Sequence, residues 1–358
     1  ASLVGSEMCI RDRTSHARGG SSRVRLFLAP LLAVLALAAP RPASAAPPLT
    51  CAAEPRPGFA DADEETGKIS GLAVDLCRAV AIATRGPGAS VRFALPESEK
   101  EFAALRPGRD GGTDRNGGTG RTDRNGGTGR PGRDGGTDLA FLTEEALESH
   151  GLRAQRILGP TVFIDPVSVM VPLASPAHRP ADLAGTVVCV MTGSQAERAL
   201  NQTLSGLTPP LARQAYSEDV EMLDAYNVGS CTAAAANLSR LAEMHRDAGI
   251  NHLQSRVLMP PLALTPIFAT APASRGRQAA LAFAVLAEIV GTPERPSAWT
   301  GTPAAIPGTR PGWHAEVEKA LGSFAAMRAR NLGRESAFGL PAWPNAAWPD
   351  GLLMPLQK

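Results

Sequence analysis

Aromatic side chains are scarce in this 358-residue chain: 10 Phe, 4 Trp and 2 Tyr, or 4%. With apolar residues at 44%, Ala, Leu and Val must fill most of any core. A dominant charge is missing too. The formal net charge is +2, and residues 1–45 hold six Arg against Glu7 and Asp12, leaving 30 basic and 32 acidic residues beyond them. That balance leaves no basic footprint for nucleic acid. The apolar run Leu26 to Ala39, broken only by Pro30, falls short of the roughly 20 residues of a comfortable membrane span. No two cysteines have C-x-x-C spacing and no histidines cluster with them, so no metal site is expected. No Ser-His-Asp pattern stands out. The Gly-Gly-Thr repeats lack the following Lys-Ser/Thr and helix of a phosphate cradle, so no cofactor is implied.

The first residues divide in two. Residues 1–13, ASLVGSEMCIRDR, resemble a translated adapter remnant, so they and Cys9 are set aside. Residues 14–45 read as a cleavable signal peptide. Arg18, Arg23 and Arg25 form its basic region, Leu26 to Ala39 its apolar region, and Ala43-Ser44-Ala45 its cleavage site. An uncleaved anchor is the competing reading. Export places the chain in the periplasm, where the four remaining cysteines, Cys51, Cys77, Cys189 and Cys231, are expected as two disulfides. Their positions alone leave three connectivities open.

The rest alternates strand-like and helical runs. Strands are expected at 90–95, 137–142, 167–171 and 186–191. Helices are expected at 71–84, 195–204, 220–226, 237–246, 277–290 and 313–331. The first helix carries Leu72, Leu76, Val80 and Ala83 on one stripe. Such alternation predicts an α/β fold with largely parallel sheets. Residues 106–138 break the pattern. RPGRDGGTD occurs at 106–114 and again at 130–138, with RNGGTG twice between the copies. This segment cannot bury enough apolar surface to offset its ordering entropy, which predicts a flexible insertion. A calcium-binding repeat would need a recurring apolar residue, and none is present.

Several segments resemble the periplasmic polar amino-acid-binding proteins of ABC transporters, solute-binding family 3, in its general amino-acid-binding branch. Cys51 with Pro57-Gly58-Phe59-Ala60-Asp61 resembles the opening strand and first ligand loop. Gly67 to Val80 resembles the G-x-x-x-G-F-D-V-D-x-C-R-A signature. Val188 to Ser194 resembles the C-V-x-T-G-T turn, and Asp224 to Cys231 the A-Y-x-x-G-x-C-D segment. Arg330 to Gly333, Gly339-Leu340, Asn345-Ala346, Trp348 and Gly351-Leu352 resemble the closing motif. The resemblance implies a periplasmic-binding-protein-like fold of type II: two α/β lobes, two crossover strands and a ligand cleft between the lobes. Lobe one takes 46–165 and lobe two 166–267, and 268–358 return to lobe one with the tail. The crossovers fall near 163–171 and 262–270. The implied disulfides are Cys51–Cys77 and Cys189–Cys231.

An amino acid's carboxylate suits a bidentate Arg and unpaired backbone N–H groups, and its ammonium suits a carboxylate. The family meets these needs with a lobe-one Arg and a lobe-two Asp. Here an ungapped count from Asp138 brings His150 to the Arg position, with Arg153 close by, and Asn237 stands at the Asp position. Thr192-Gly193-Ser194 precedes a helix, with Ser194 and Glu197 at capping-box spacing, and the free N–H groups of such a turn can hold an anion. The candidate ligand residues are therefore Phe59, Asp61, Thr143, His150, Thr192, Gly193, Ser194 and Asn237. Phe59, Asp61, His150 and Ser194 have plainer readings as a surface or core aromatic, a loop acid, a loop histidine and a helix cap.

The expected function is a non-enzymatic, monomeric binding protein. It would capture an amino acid or related carboxylate for an ABC permease in the inner membrane. The alternatives are a sensor or partner-binding protein that has lost amino-acid binding, or a periplasmic lyase or dehydratase using Glu144, Glu145 or His150. The tail holding Trp343 and Trp348 is expected to pack on lobe one rather than form a docking strip.

Overall fold

The structure, a computed structural model, describes residues 47–63, 65–106, 136–247, 254–291, 305–333, 344–345 and 351–353. The leader segments 1–13 and 14–45, most of the insertion at 106–138, Trp343 and Trp348 lie outside the described residues.

The strands are β1 (Leu49–Ala53), β2 (Asp61–Ala62), β3 (Ile69–Ser70), β4 (Val91–Ala94), β5 (Leu139–Thr143), β6 (Arg156–Pro172), β7 (Val187–Met191), β8 (Ala212–Tyr216), β9 (Ala233–Asn237), β10 (Ser255–Val257) and β11 (Ala263–Pro272). The described helices are α1 (Leu72–Arg85), α2 (Glu99–Ala103), α3 (Glu144–Ser149), α4 (Gln195–Leu204), α5 (Asp219–Asn227), α6 (Leu238–Asp247), α7 (Gly276–Gly291), α8 (Trp313–Leu321) and α9 (Phe324–Leu332).

The main sheet runs β4-β1-β5-β11-β6-β9-β7-β8, with β10 also on β6. Its two halves repeat one pattern. In lobe one, β1 lies parallel to β4 and β5, and β11 joins β5 antiparallel. In lobe two, β7 lies parallel to β8 and β9, and β6 joins β9 antiparallel. Each lobe therefore takes its antiparallel strand from the crossover by which the chain enters it. The crossovers β6 and β11 pair with each other, from Ala263 opposite Val167 to Pro272 opposite Arg156. Asp165 faces Thr265 in that ladder, at the point where both strands pass between lobes.

Strands covered by helices on both faces read as continuous apolar runs. β9 is Ala-Ala-Ala-Ala-Asn, and its four alanines are buried. Local propensity favours helix for such a run, which is why the sequence pattern gave no strand there. The single helix expected over 313–331 is two. Gly322, at φ 84°, ends α8, and the Ser323 side chain accepts the Ala326 N–H to begin α9. The glycine takes a left-handed turn that other residues resist.

One large cluster packs α1, α7, α8 and α9 on lobe one. Clusters on both faces of the lobe-two sheet form its core. The quoted sequence segments meet in space. Arg330 Nη2 and Asn331 Nδ2 donate to Asp75 on α1, at 2.6 and 2.7 Å. Asn345 accepts from the Ile164 N–H and donates to the Ile164 carbonyl, both at 2.7 Å. The described tail residues thus fasten to lobe one and to β6.

Cys51, central in β1, is bonded to Cys77 on α1, and Cys189, central in β7, to Cys231. Both lobes are pinned through the middle of their first strand. The bonds close loops with sequence separations of 26 and 42 residues. Loop-closure entropy puts each at about 3–4 kcal/mol. Replacing Cys189 and Cys231 together by alanine should lower the unfolding free energy by about that much, read by urea denaturation.

Candidate ligand-binding cleft

Two adjoining cavities, of about 370 and 290 Å³, open between the lobes and share Arg56, Ser194 and Asn237 in their walls. Lobe one supplies the segment after β1 and the β5–α3 corner. Lobe two supplies the β7–α4 turn and the end of β9.

The segment after β1 is held rigidly. Arg56 N–H donates to the Ala60 carbonyl, and Phe59 and Ala60 N–H groups return to the Arg56 carbonyl, at 2.9–3.1 Å. The Gly58 and Phe59 carbonyls accept the first N–H groups of α1, from Leu72 and Ala73. They serve as the cap that Gly71 lacks. Gly71 sits at φ 124°, and a Cβ there would lie 2.4 Å from the Phe59 carbonyl oxygen. Glycine is required for this close approach.

Arg56 reaches from this loop to the crossover. Its Nη1 donates to Asp165 Oδ2 at 3.0 Å. Asp165 has no solvent exposure and also accepts the Ser239 N–H at 3.1 Å and its hydroxyl at 2.7 Å. Ser239 lies in the first turn of α6, where the helix dipole and unpaired N–H groups favour an anion. Asn237 Nδ2 donates to the Asp165 carbonyl and Thr265 Oγ1, each at 3.3 Å, and the Thr265 hydroxyl donates to Gln195 Oε1 at 2.5 Å. This network joins lobe one, both crossovers and two lobe-two helices.

Near the mouth, Arg198 on α4 donates from Nη2 to both Glu145 oxygens, at 2.5 and 2.6 Å, and from Nη1 to the Gly193 carbonyl at 2.8 Å. Glu145 belongs to lobe one and Arg198 to lobe two, so the pair bridges the lobes. Arg240 on α6 is paired with Asp219 and Glu243.

The expected ligand residues divide accordingly. Asp61, Ser194 and Asn237 line the larger cavity, and Thr143, His150, Gly193, Ser194 and Asn237 the smaller. Phe59 is elsewhere. It is fully buried and stacked on Phe163 with centroids 4.9 Å apart, an aromatic of the lobe-one core. Thr192 lies outside both cavity walls, its N–H bonded to the Tyr216 carbonyl. Thr143 caps α3 through the Ala146 N–H and donates to Glu54. His150 stacks on Phe102 and holds Glu99 through Nδ1 at 2.6 Å, so that ring nitrogen is taken. Arg153 pairs with Glu144 instead of entering either cavity wall. Ser194 caps α4 by accepting the Glu197 N–H, but Glu197 returns to the Gly193 N–H rather than to Ser194's own. A backbone donor suited to an anion is therefore already occupied by an internal carboxylate.

Sequence reasoning missed Arg56, Asp165 and Ser239. Arg56 sits one residue before the quoted Pro57–Asp61 segment. Asp165 lies within the expected crossover, where a lone acid in an apolar strand was the available signal. Among the described residues no His/Cys/Asp/Glu group could hold a metal ion, and no helix is long and apolar enough to cross a membrane.

No family model and no curated protein matches the chain. Solved structures do. An ABC transporter periplasmic binding protein from Brucella ovis, with glutathione bound, matches at 19% identity and TM-score 0.60, over 86% of this chain and 95% of that one. Substrate-binding domain 2 of Lactococcus lactis GlnP, in its open conformation, matches at 12% identity and TM-score 0.47, over 69% and 92%. The Brucella ovis likeness establishes the fold: the chain has the two-lobed type II architecture of periplasmic binding proteins.

Breaking the buried network at its centre has a definite cost. Asp165→Ala leaves Arg56 facing a partnerless, largely buried position and should destabilise the fold by about 3–5 kcal/mol in chemical denaturation. Glu145→Gln, at a half-exposed pair, should change global stability by no more than about 1 kcal/mol. It should nevertheless increase the open population seen by small-angle scattering.

Proposed function

We propose that this chain is an extracytoplasmic solute-binding protein. It captures a small carboxylate-bearing solute, such as an amino acid or short peptide, between its lobes and delivers it to an ABC permease in the inner membrane. The observation that carries this reading is the cleft itself. Two lobes of matching strand order meet at paired crossovers, and polar side chains from both lobes converge on one pair of cavities. Such a hinge closes on a ligand that binds the closed state better, and a permease can read the closure. The glutathione held by the Brucella ovis protein is an anionic peptide and joins the candidate solutes. The signal-like segment 14–45 supports a periplasmic location, and the two disulfides suit an oxidising compartment. We read the protein as monomeric and non-enzymatic.

Each proposed ligand residue in the cavity walls has a part in this reading. Asp61 and Thr143 serve from lobe one, and Gly193, Ser194 and Asn237 from lobe two. His150, its Nδ1 engaged, offers only its remaining ring nitrogen. Thermal unfolding against the twenty L-amino acids, glutathione, succinate and acetate tests the reading. A solute present at 100 times its dissociation constant should add about 2.7 kcal/mol of stability. A well-folded chain that none of them stabilises would count against solute capture of this class.

A further inference from the structure

The charged groups of the cleft are unequally committed. Arg198 is spent on Glu145 and the Gly193 carbonyl, and Arg240 on Asp219 and Glu243. Arg56 differs. Asp165 takes only Nη1, while Nε is buried and has no hydrogen-bond partner among the described residues. A buried guanidinium N–H without an acceptor loses its hydration uncompensated, and native proteins rarely leave one so. The unused edge, Nε with Nη2, is the side of the guanidinium that matches a carboxylate with two parallel hydrogen bonds. Arg56 also lies in the wall shared by both cavities. Its backbone is locked by the Arg56–Ala60 turn, and its head is aimed by Asp165, which Ser239 holds in turn. Such preorganisation lowers the ordering cost of binding.

We propose that Arg56 is the anchor for the solute's carboxylate, taking it on the Nε–Nη2 edge while Asp165 holds Nη1 from behind. This rests on the solute-capture reading and names the residue that fixes the solute class. Arg56 replaces His150 in that task. Nε is shut off from solvent in this arrangement, so the carboxylate reaches it when the lobes part, and closure then buries the pair. Ser194 and Asn237, on the opposite lobe and in the same wall, close over it.

Calorimetric titration of wild-type and Arg56→Lys chains decides the matter. The probes are the L-amino acids, glutathione, succinate, acetate and two carboxylate-free amines, isopentylamine and putrescine. Lysine keeps a positive charge beside Asp165 but removes the fork. Affinity for the best carboxylate should fall about 10- to 100-fold, the worth of a charged hydrogen bond. The Arg56 Nε–H resonance of the wild type, assigned by its loss in the variant, should move downfield when that carboxylate binds. If the variant fails to fold, the resonance is assigned instead by through-bond correlation along the Arg56 side chain, and the wild type alone decides. Equal carboxylate affinity in a folded variant, or an unmoved resonance, overturns the assignment and leaves solute capture standing. Binding of amines with no carboxylate binding overturns the assignment and the carboxylate class of solute, leaving only capture of a solute standing. A wild type that binds no probe overturns both.

Discussion

A carboxylate with no solvent exposure occupies the point where the two lobes and both crossovers meet. Desolvating such a charge costs several kcal/mol, and Asp165 remains there only because its neighbours answer it from several directions. Arg56 comes from lobe one, and Ser239 supplies a hydroxyl and a helix-start N–H from lobe two. The requirement propagates outward. Arg56 must be held on a tight turn, the turn needs Gly58 and Gly71, and those glycines set the start of α1. The same helix carries Cys77 and Asp75, which fasten β1 and α9. Much of lobe one is thus arranged around a side chain that ends at the hinge.

Magnitudes separate the contacts that set geometry from those that tune it. The Asp165 cluster is buried and hydrogen-bonded, so losing one partner exposes the others to the full desolvation penalty. The Glu145–Arg198 bridge is half-exposed on both sides, where such pairs are worth about 0–1 kcal/mol. The proposed capture of a solute between the lobes would need this division. A strong latch across the mouth would hold the lobes shut without a solute, and a weak cluster at the hinge would let them slide. A contact worth about 1 kcal/mol moves an open–closed equilibrium about fivefold, against the roughly 5.5 kcal/mol needed to take it from 1:99 to 99:1, so such a bridge tunes the balance and leaves a bound solute to decide it.

The sequence made the scaffold legible where a local rule also governs the tertiary structure. The α1 stripe of Leu72, Leu76 and Val80 is a buried helix face, and the Ser194 cap starts α4 at Gln195. Both disulfides join the cysteines that the family resemblance paired. Legibility failed where burial overrode propensity. The alanines of β9 are a strand because helices cover them on both faces, a fact no window of sequence contains. The site was less legible still. Phe59 occupies a loop that resembles a ligand loop, yet its ring faces inward to Phe163. Arg56 and Asp165 are 109 residues apart, and only the folded crossover makes them neighbours.

Asn237 and His150 looked like losses of charge, but the network gives each a local reason. Asn237 donates to the Asp165 carbonyl and to Thr265. An aspartate there could not donate, and it would set a second negative charge near a buried one. Once Asp165 occupies the hinge, an amide at 237 is the side chain that fits. Arg56 neutralises Asp165 with one nitrogen, so a guanidinium stands in the cleft from a position other than 150, and His150 is released to pack on Phe102. Glu54, half-buried two residues before Arg56, accepts only the Thr143 N–H and hydroxyl and has no cationic partner among the described residues. Residues i and i+2 of an extended segment share a face, and both line the smaller cavity. An ammonium placed beside Glu54 would give that carboxylate the cationic partner it lacks, and a carboxylate on the same solute would meet the N–H groups of Arg56 that Asp165 leaves over.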